Sequence, residues 1–305
     1  MAVTRFTIFL LLSAILAGCS SLIRSATSGL ADSLTTTILN QDDPELVRDG
    51  APAFLLMMDS FVERDPDNEA TLQGAAQLYA AYGAIFVEDP ERAQRLAKRA
   101  QRYGERALCV KQRPPPKPKD RTSVVRKPYQ KPEPQGDCDW RNLTYDEFVV
   151  ALDALDEDDA PALYSFAVSW LAWISASKDF EAIANLPKVE AALMRLAEID
   201  ETTEPATVHK YLGVLNSLRT PALGGNPELG RQNFEDALSY ADGRDLSIKV
   251  DYAQYYARLV YDRELHNRLL NEVLEADPVA DGYTLFNTVA QRHARELLDS
   301  ADDYF

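Results

Sequence analysis

Two cations and an indole are the side chains of this sequence best suited to hold a small ligand. Lys210 and Arg258 could take a carboxylate, Arg258 as a bidentate fork, and Trp173 could supply an apolar wall. Gln73, Gln77, Ser165, Ser169, Ser217 and Gln254 are neutral hydrogen-bonding residues that share their register. All nine fall on one inner side if the chain is read as repeated helix pairs, counting from Ala76, Val168, Gly213 and Ala253 in each first helix. The competing readings are a wet groove of ordinary polar residues and a register one position off. Catalytic chemistry has less to stand on. His209, His266 and His293 lie on different predicted helices, with no partner at metal-ligand spacing, and read as packing or surface residues. Gly224-Gly225 has no Lys-Ser/Thr after it and no strand before it, so it reads as a turn rather than a phosphate loop. There is no Gly-x-Ser-x-Gly. Acid pairs such as Asp158-Asp159 and Asp302-Asp303 sit at helix ends, where capping and solubility account for those near N-termini. The expectation is a non-enzymatic protein with no cofactor and no metal. A dispersed site that leaves no local motif stays open.

The elements that must position these residues are helices. Asp42-Asp43-Pro44-Glu45 combines a capping acid with Pro in the first turn, and Leu46, Ala53, Leu56, Met57, Phe61 and Val62 then recur near helical spacing. Asp65-Pro66-Asp67 ends that helix and caps one from Asn68 to Val87; Asp89-Pro90-Glu91 does the same for one reaching Leu108. Further helices are predicted at about 144–156, 160–176, 187–199, 205–219, 227–241, 245–259, 262–276 and 280–301, and no segment alternates as a strand would. The fold class is all-α, a solenoid of antiparallel helix pairs. The pairs resemble degenerate tetratricopeptide repeats, which put small residues where two helices cross. Ala75-Ala76 and Tyr79 precede Ala93, Ala97 and Ala100. Ala167-Val168 and Leu171 precede Val189, Leu193 and Leu196. Leu212-Gly213 and Asn216 precede Gly230, Phe234 and Ala237. Tyr252-Ala253 and Tyr256 precede His266, Leu270, Val273 and Pro278. A non-repetitive helical bundle is the alternative.

Composition bounds the rest. The 305 residues carry 48 acids against 32 Lys and Arg, a net charge of −16, so the phosphate backbone of a nucleic acid would be repelled and no nucleic-acid partner is expected. Residues 1–18 read as a secretory signal: Arg5, a mostly apolar run from Phe6 to Leu16, then Leu16-Ala17-Gly18-Cys19. The run is about half the roughly 20 residues a spanning helix needs. The last four residues resemble the lipobox of bacterial lipoproteins, which implies cleavage before Cys19 and lipidation of its thiol. The alternative is an ordinary signal with a chance Cys. Ser20 and Ser21 follow, with no Asp in second position, which by similarity to sorted lipoproteins implies the periplasmic face of the outer membrane. Residues 19–41 are the tether and the start of the first helix, and 42–305 the helical domain. With Cys19 lipidated, Cys109 and Cys138 remain as an even pair in an oxidising compartment, which suggests a disulfide; two thiols that never meet is the alternative. Between them, 112–136 is a Pro-rich basic insertion that cannot be helix. It reads as a solvated loop, with docking on an acidic partner or anionic lipid as the second reading.

Four stretches carry a more specific resemblance. They are Asp43-Pro44-Glu45-Leu46-Val47-Arg48-Asp49-Gly50-Ala51-Pro52-Ala53, Ala75-Ala76-Gln77-Leu78-Tyr79, Leu223-Gly224-Gly225-Asn226-Pro227-Glu228 and Ala290-Gln291-Arg292-His293-Ala294. With the lipobox, they make the chain similar to the T-component family of TRAP transporters from about residue 20 onward. The resemblance implies a periplasmic lipoprotein that forms a homo-oligomer, such as a trimer, and associates with a TRAP-type solute-binding protein for a small organic ligand. The expected function is therefore a non-enzymatic accessory lipoprotein of a TRAP-type uptake system that handles a small organic acid or apolar ligand. The alternative is a cell-envelope scaffold for protein–protein interaction that binds no small ligand.

Overall fold

A computed structural model describes residues 36–112, 138–177, 180–218, 220–221 and 225–305. The signal with Cys19, most of the tether, the Pro-rich basic stretch at 113–137, and Leu223-Gly224 lie outside the described residues. Within them the protein is all-α. The helices are α1 (Pro44–Arg64), α2 (Glu69–Phe86), α3 (Pro90–Lys111), α4 (Tyr145–Asp153), α5 (Ala160–Ser177), α6 (Leu186–Ile199), α7 (Pro205–Ser217), α8 (Pro227–Ala241), α9 (Ser247–Asp251), α10 (Arg263–Glu275) and α11 (Thr284–Asp299). A π-helical segment, Tyr252–Ala257, continues α9 without a break.

Local chemistry sets most of the boundaries. Side-chain oxygens of Asp43, Asn68 and Asp89 accept from the backbone N–H of Leu46, Thr71 and Arg92 at 3.0, 2.9 and 2.8 Å, satisfying donors that the first turns of α1, α2 and α3 leave open. Thr144 and Glu147 form a reciprocal capping box at α4. The last long helix begins later than the pattern predicts. Gly282 takes a positive φ of 79°, which is outside helical geometry, so α11 starts at Thr284 rather than at 280.

Successive helices pack on their neighbours, and the predicted crossing residues are where they touch. Ala75, Ala76, Ala100, Val189, Leu193, Leu196, Phe234, Ala237, Ala253, Leu270 and Val273 are all buried. The crossing of α7 and α8 is tight. A Cβ on Gly213 would stand 3.0 Å from the Phe234 ring, and one on Gly230 would meet the Ser217 hydroxyl and stand 3.2 Å from the Gly213 carbonyl oxygen. The α3–α5 crossing is equally close, since a Cβ on Gly104 would lie 2.8 Å from the Ser165 carbonyl oxygen.

The largest core cluster is aromatic. Trp140, Phe148, Phe166 and Trp170 interlock with ring centroids 5.1–6.3 Å apart and are almost wholly buried. A Cys109–Cys138 disulfide, with Cα atoms 5.7 Å apart, ties the end of α3 to the segment that delivers Trp140. Arg141 continues the tie: its Nε donates to Glu105 at 2.6 Å and its Nη1 to Gln101 at 3.2 Å. The two ends of the helical array also meet. Arg292 of α11 pairs with Glu45 of α1, its Nη2 2.9 Å from Oε2, and Leu285 packs into the cluster built by Val47, Ala51 and Leu55. Beside them Asn40 donates to Asp281 at 2.9 Å and accepts from the Gly282 N–H at 2.6 Å.

Candidate functional site

Of the nine residues that the repeat register groups together, the structure joins Gln77 to Ser165 and gives Gln73, Ser169, Lys210 and Arg258 partners outside the set. Ser165 and Ser169 are fully buried in α5, donating to the Pro161 and Phe166 carbonyls at 3.0 Å each, and Ser217 is buried against Gly230. None of these three lines a groove. They occupy helix crossings, where a small side chain is what lets two backbones approach, so the register places them one face too far inward. Gln77 is exposed and donates to Ser165 Oγ at 2.8 Å, and Gln73 donates to Glu69 at 2.9 Å. Trp173 is half-buried against the aromatic core, and Gln254 is half-buried on the π-helical segment. Arg258 is absorbed by α10 and α11. Its Nε donates to His266 Nε2 at 3.3 Å and its Nη2 to the Leu297 carbonyl and Ser300 Oγ at 3.3 and 3.0 Å, with the guanidinium 4.7 Å from the centre of the Tyr304 ring.

His266 and His209 make contacts within the fold, and burial lowers the pKa of His293. His266 accepts from Arg258 and shares its Nδ1 with Asn267 at 2.9 Å, and burial lowers its pKa, so the ring is neutral. His209 bonds to Asn233 at 2.9 Å and stacks on Tyr240. Among the described residues no group of His, Cys, Asp or Glu is arranged to hold a metal.

Lys210 is the exception, because the structure surrounds it with chemistry. It projects from α7 with 13% of its side-chain surface accessible. Its ammonium donates to Ser247 Oγ at 3.0 Å, lies 3.7 Å from Asp245 Oδ2, and sits 5.5 Å from the centre of the Tyr211 ring. Asp245 is held in place by its own loop: the Ser247 N–H and hydroxyl both donate to its Oδ1, at 2.9 and 2.6 Å. That loop is in turn pinned by buried Asn287 of α11, which accepts from the Leu246 N–H and donates to the Arg244 carbonyl. Three elements thus converge on one ammonium.

A second carboxylate, Asp251, stands one helical turn after Ser247, where α9 meets the π-helical segment. Burial pushes its carboxyl up to about 6, against the pull of Lys210 and with the push of Asp245. Burial works against the Lys210 charge, but Asp245, then Tyr211 and Asp251, hold its pKa above the ordinary lysine value. Tyrosines share these surroundings. Tyr164 of α5, Tyr211 of α7, Tyr255 of the π-helical segment and Tyr283 before α11 are each half-buried, and burial raises the pKa of each phenol. The Lys210–Asp245 ion pair, with Asp251 and the tyrosines that share its electrostatic surroundings, makes a polar and aromatic cluster that joins α7 to the loop before α9.

Of this site, sequence reasoning found Lys210 alone. Tyr211 and Tyr255 lie one position after Lys210 and Gln254, which the register selects, so a one-step shift forward would have found those two, whereas Tyr164 lies one position before Ser165. Asp251 gave a weak signal, an acid inside a predicted helix two residues before its small crossing residue, Ala253. Asp245 gave none, since an acid at a helix start reads first as a cap.

The described residues form an all-helical array that gathers an ionic and aromatic cluster around Lys210. A family model described as the TRAP transporter T-component matches residues 40–305, and the chain belongs to that family. It is thereby an accessory component of a TRAP transport system. No curated protein matches the chain.

Proposed function

We propose that this T-component is a non-enzymatic lipoprotein that docks a TRAP-type solute-binding protein and handles a small ligand at the cluster around Lys210. It is anchored through lipidated Cys19 on the periplasmic face of the outer membrane and works as a homo-oligomer such as a trimer, its helix pairs being degenerate tetratricopeptide repeats. The observation that carries this reading is the convergence of Lys210, Asp245, Asp251 and the tyrosines from α5, α7, α9 with its π-helical continuation, and the approach to α11. Folding gains little from gathering charges in a desolvated place, so such a cluster points to recognition. Docking has separate support. The outward face of α1 leaves Leu46, Ala53, Leu56 and Met57 exposed at near-helical spacing, with Leu46 58% and Leu56 69% accessible. A lipid anchor would raise the local concentration of a partner met on that face.

The test is sedimentation of the soluble chain, begun at Ser20, with a TRAP-type solute-binding protein encoded beside it. A heavier complex that is lost when Leu56→Glu and Met57→Glu are combined is expected. Independent sedimentation of the two proteins at micromolar concentration, with and without small organic acids, would overturn the docking reading.

A further inference from the structure

A cleft of about 540 Å³ opens between the loop that joins α7 to α8 and the end of the π-helical segment. Its volume falls within the roughly 300–1,000 Å³ of small-molecule sites. Pro221, Pro227, Tyr256, Leu259 and Val260 give it apolar walls, and neither Lys210, Asp245 nor Asp251 lines it. The loop wall is fixed to both of its helices. The Gly225 N–H donates to the Thr220 carbonyl at 3.0 Å and the Asn226 N–H to the Asn216 carbonyl at 3.2 Å. The Asn226 side chain then accepts from the Leu229 N–H at 3.2 Å and caps α8. Gly225 to Glu228 belong to one of the four stretches that carry the family resemblance.

The opposite wall departs twice from ordinary helix. Tyr256 lies in the π-helical segment, and the chain stops sharply at Tyr261, whose φ is 59°. The stop is made by the Asp262 N–H, which donates to the Ala257 carbonyl at 2.8 Å, and the Tyr261 N–H, which donates to the Arg258 carbonyl at 3.1 Å. Glycine is the usual residue at that left-handed position, and a bulky side chain there is strained. The Tyr261 ring rests on Phe305 yet stays 62% accessible, so burial offsets little of that strain. π-helical turns and strained residues both concentrate at functional sites. Here they flank Leu259 and Val260, which line the cleft.

The charges beside the cleft are already matched. Both carboxylate oxygens of Glu228 accept from Arg231, whose Nη1 donates to Glu235 at 2.7 Å. Among the described residues no cation lines the cleft to meet a carboxylate, and Glu228 is not free to meet an ammonium. Two uncharged groups are free. The Tyr256 hydroxyl and the Asn226 amide nitrogen have no hydrogen-bond partner among the described residues, and burial raises the Tyr256 pKa, which keeps that phenol a neutral donor. An acid or an amine entering this place would give up hydration with no opposite charge to replace it.

We propose that this cleft is a second binding site, separate from the cluster around Lys210, for a small uncharged molecule with an apolar body and a single hydroxyl or carbonyl. The apolar body packs between Pro221, Pro227, Leu259 and Val260, and the polar end meets Tyr256 and Asn226.

Methyl-resolved NMR of the soluble chain tests this, because Leu259 and Val260 carry reporters in the cleft wall. The probes are hexan-1-ol, hexanoate and hexylamine. Hexan-1-ol is expected to shift both sets of methyl signals saturably, and the two charged probes to bind there roughly tenfold more weakly. Val260→Asp, at a side chain already 41% accessible, should abolish the response of Leu259 to hexan-1-ol. Val150→Asp on α4, 70% accessible and outside the cleft, should leave it intact. Binding of hexanoate or hexylamine as tight as that of hexan-1-ol would overturn the uncharged assignment. A Leu259 response that persists in folded Val260→Asp would put the molecule elsewhere and overturn the site. Absence of saturable shifts with all three probes at millimolar concentration would overturn it too, and would leave docking at α1 and the Lys210 reading standing.

Discussion

Replacing Asp251 by Asn should make the protein more stable at neutral pH. The carboxyl titrates at about 6 in the folded chain against a usual value of 3.8. At about 1.4 kcal/mol per pKa unit, that difference amounts to about 3 kcal/mol of ionisation penalty once the group is fully charged. The sign follows from which state holds the proton more tightly. Here it is the folded state, so the contribution of Asp251 is most favourable below the unfolded value and is lost as the pH rises through the folded one. A neutral amide of the same shape escapes the penalty. Urea unfolding followed by circular dichroism at several pH values measures it directly, since every other titrating group is common to both proteins and drops out of the difference. The Asn variant should exceed wild type by about 3 kcal/mol at pH 7.5, and linkage shrinks that margin to about 1 kcal/mol at pH 4.5. Equal or lower stability of the variant at pH 7.5, or a margin that does not change with pH, would refute the picture of a carboxyl that burial holds above its usual pKa. A site that sacrifices stability in this way is a familiar sign of function.

Three further outcomes are expected. Gly230→Ala should destabilise the chain by about 1–3 kcal/mol, read from thermal unfolding, because its methyl group would press into the Ser217 hydroxyl and the Gly213 backbone. Cys109→Ser should lower stability by roughly 3–4 kcal/mol on the chain-entropy relation for a closed loop of about 30 residues, with wild type falling to the same level under reductant. Arg292 holds the Glu45 carboxyl down to about 2 through their hydrogen bond, so its favourable contribution is present above the usual carboxylate pKa and disappears as the pH falls toward 2. In Arg292→Met, carboxyl-resolved NMR should show Glu45 titrating clearly higher than in wild type, though still below its ordinary 4.5 because its backbone hydrogen bond and Arg48 remain.

What could be read from the sequence was what local chemistry decides. Asp43 and Asp89 cap the helices that their Asp-Pro contexts announce, because a cap involves residues only three apart, while the cap of α2 falls on Asn68, just past the Asp65-Pro66-Asp67 turn to which the sequence assigned it. Small residues also betrayed the crossings, since Gly213 and Gly230 leave no room for anything larger. The even cysteine pair proved to be the Cys109–Cys138 bond. The cluster around Lys210 was harder to see because it is lateral. Tyr164, Lys210, Asp245 and Asp251 come from elements that are neighbours only after the helices stack, and a register error of one residue turns a wall position into a crossing position. The π-helical turn at Tyr252–Ala257 adds to this, since it shifts the angular phase of everything after Asp251 and no ordinary helical count anticipates it.

The meeting of α1 with α11 changes how the molecule should come apart. A linear stack of helix pairs with free ends frays from those ends, and its outermost units exchange their amide hydrogens first. In this chain the would-be ends are stapled to each other by Arg292 and Glu45, by Asn40 with Asp281 and Gly282, and by Leu285 seated among the α1 side chains. There is then no outermost unit from which melting can spread, and the first and last helices share one fate. Amide protection at the two extremities of the helical domain should therefore rise and fall together, as if residues more than 240 positions apart belonged to a single hairpin.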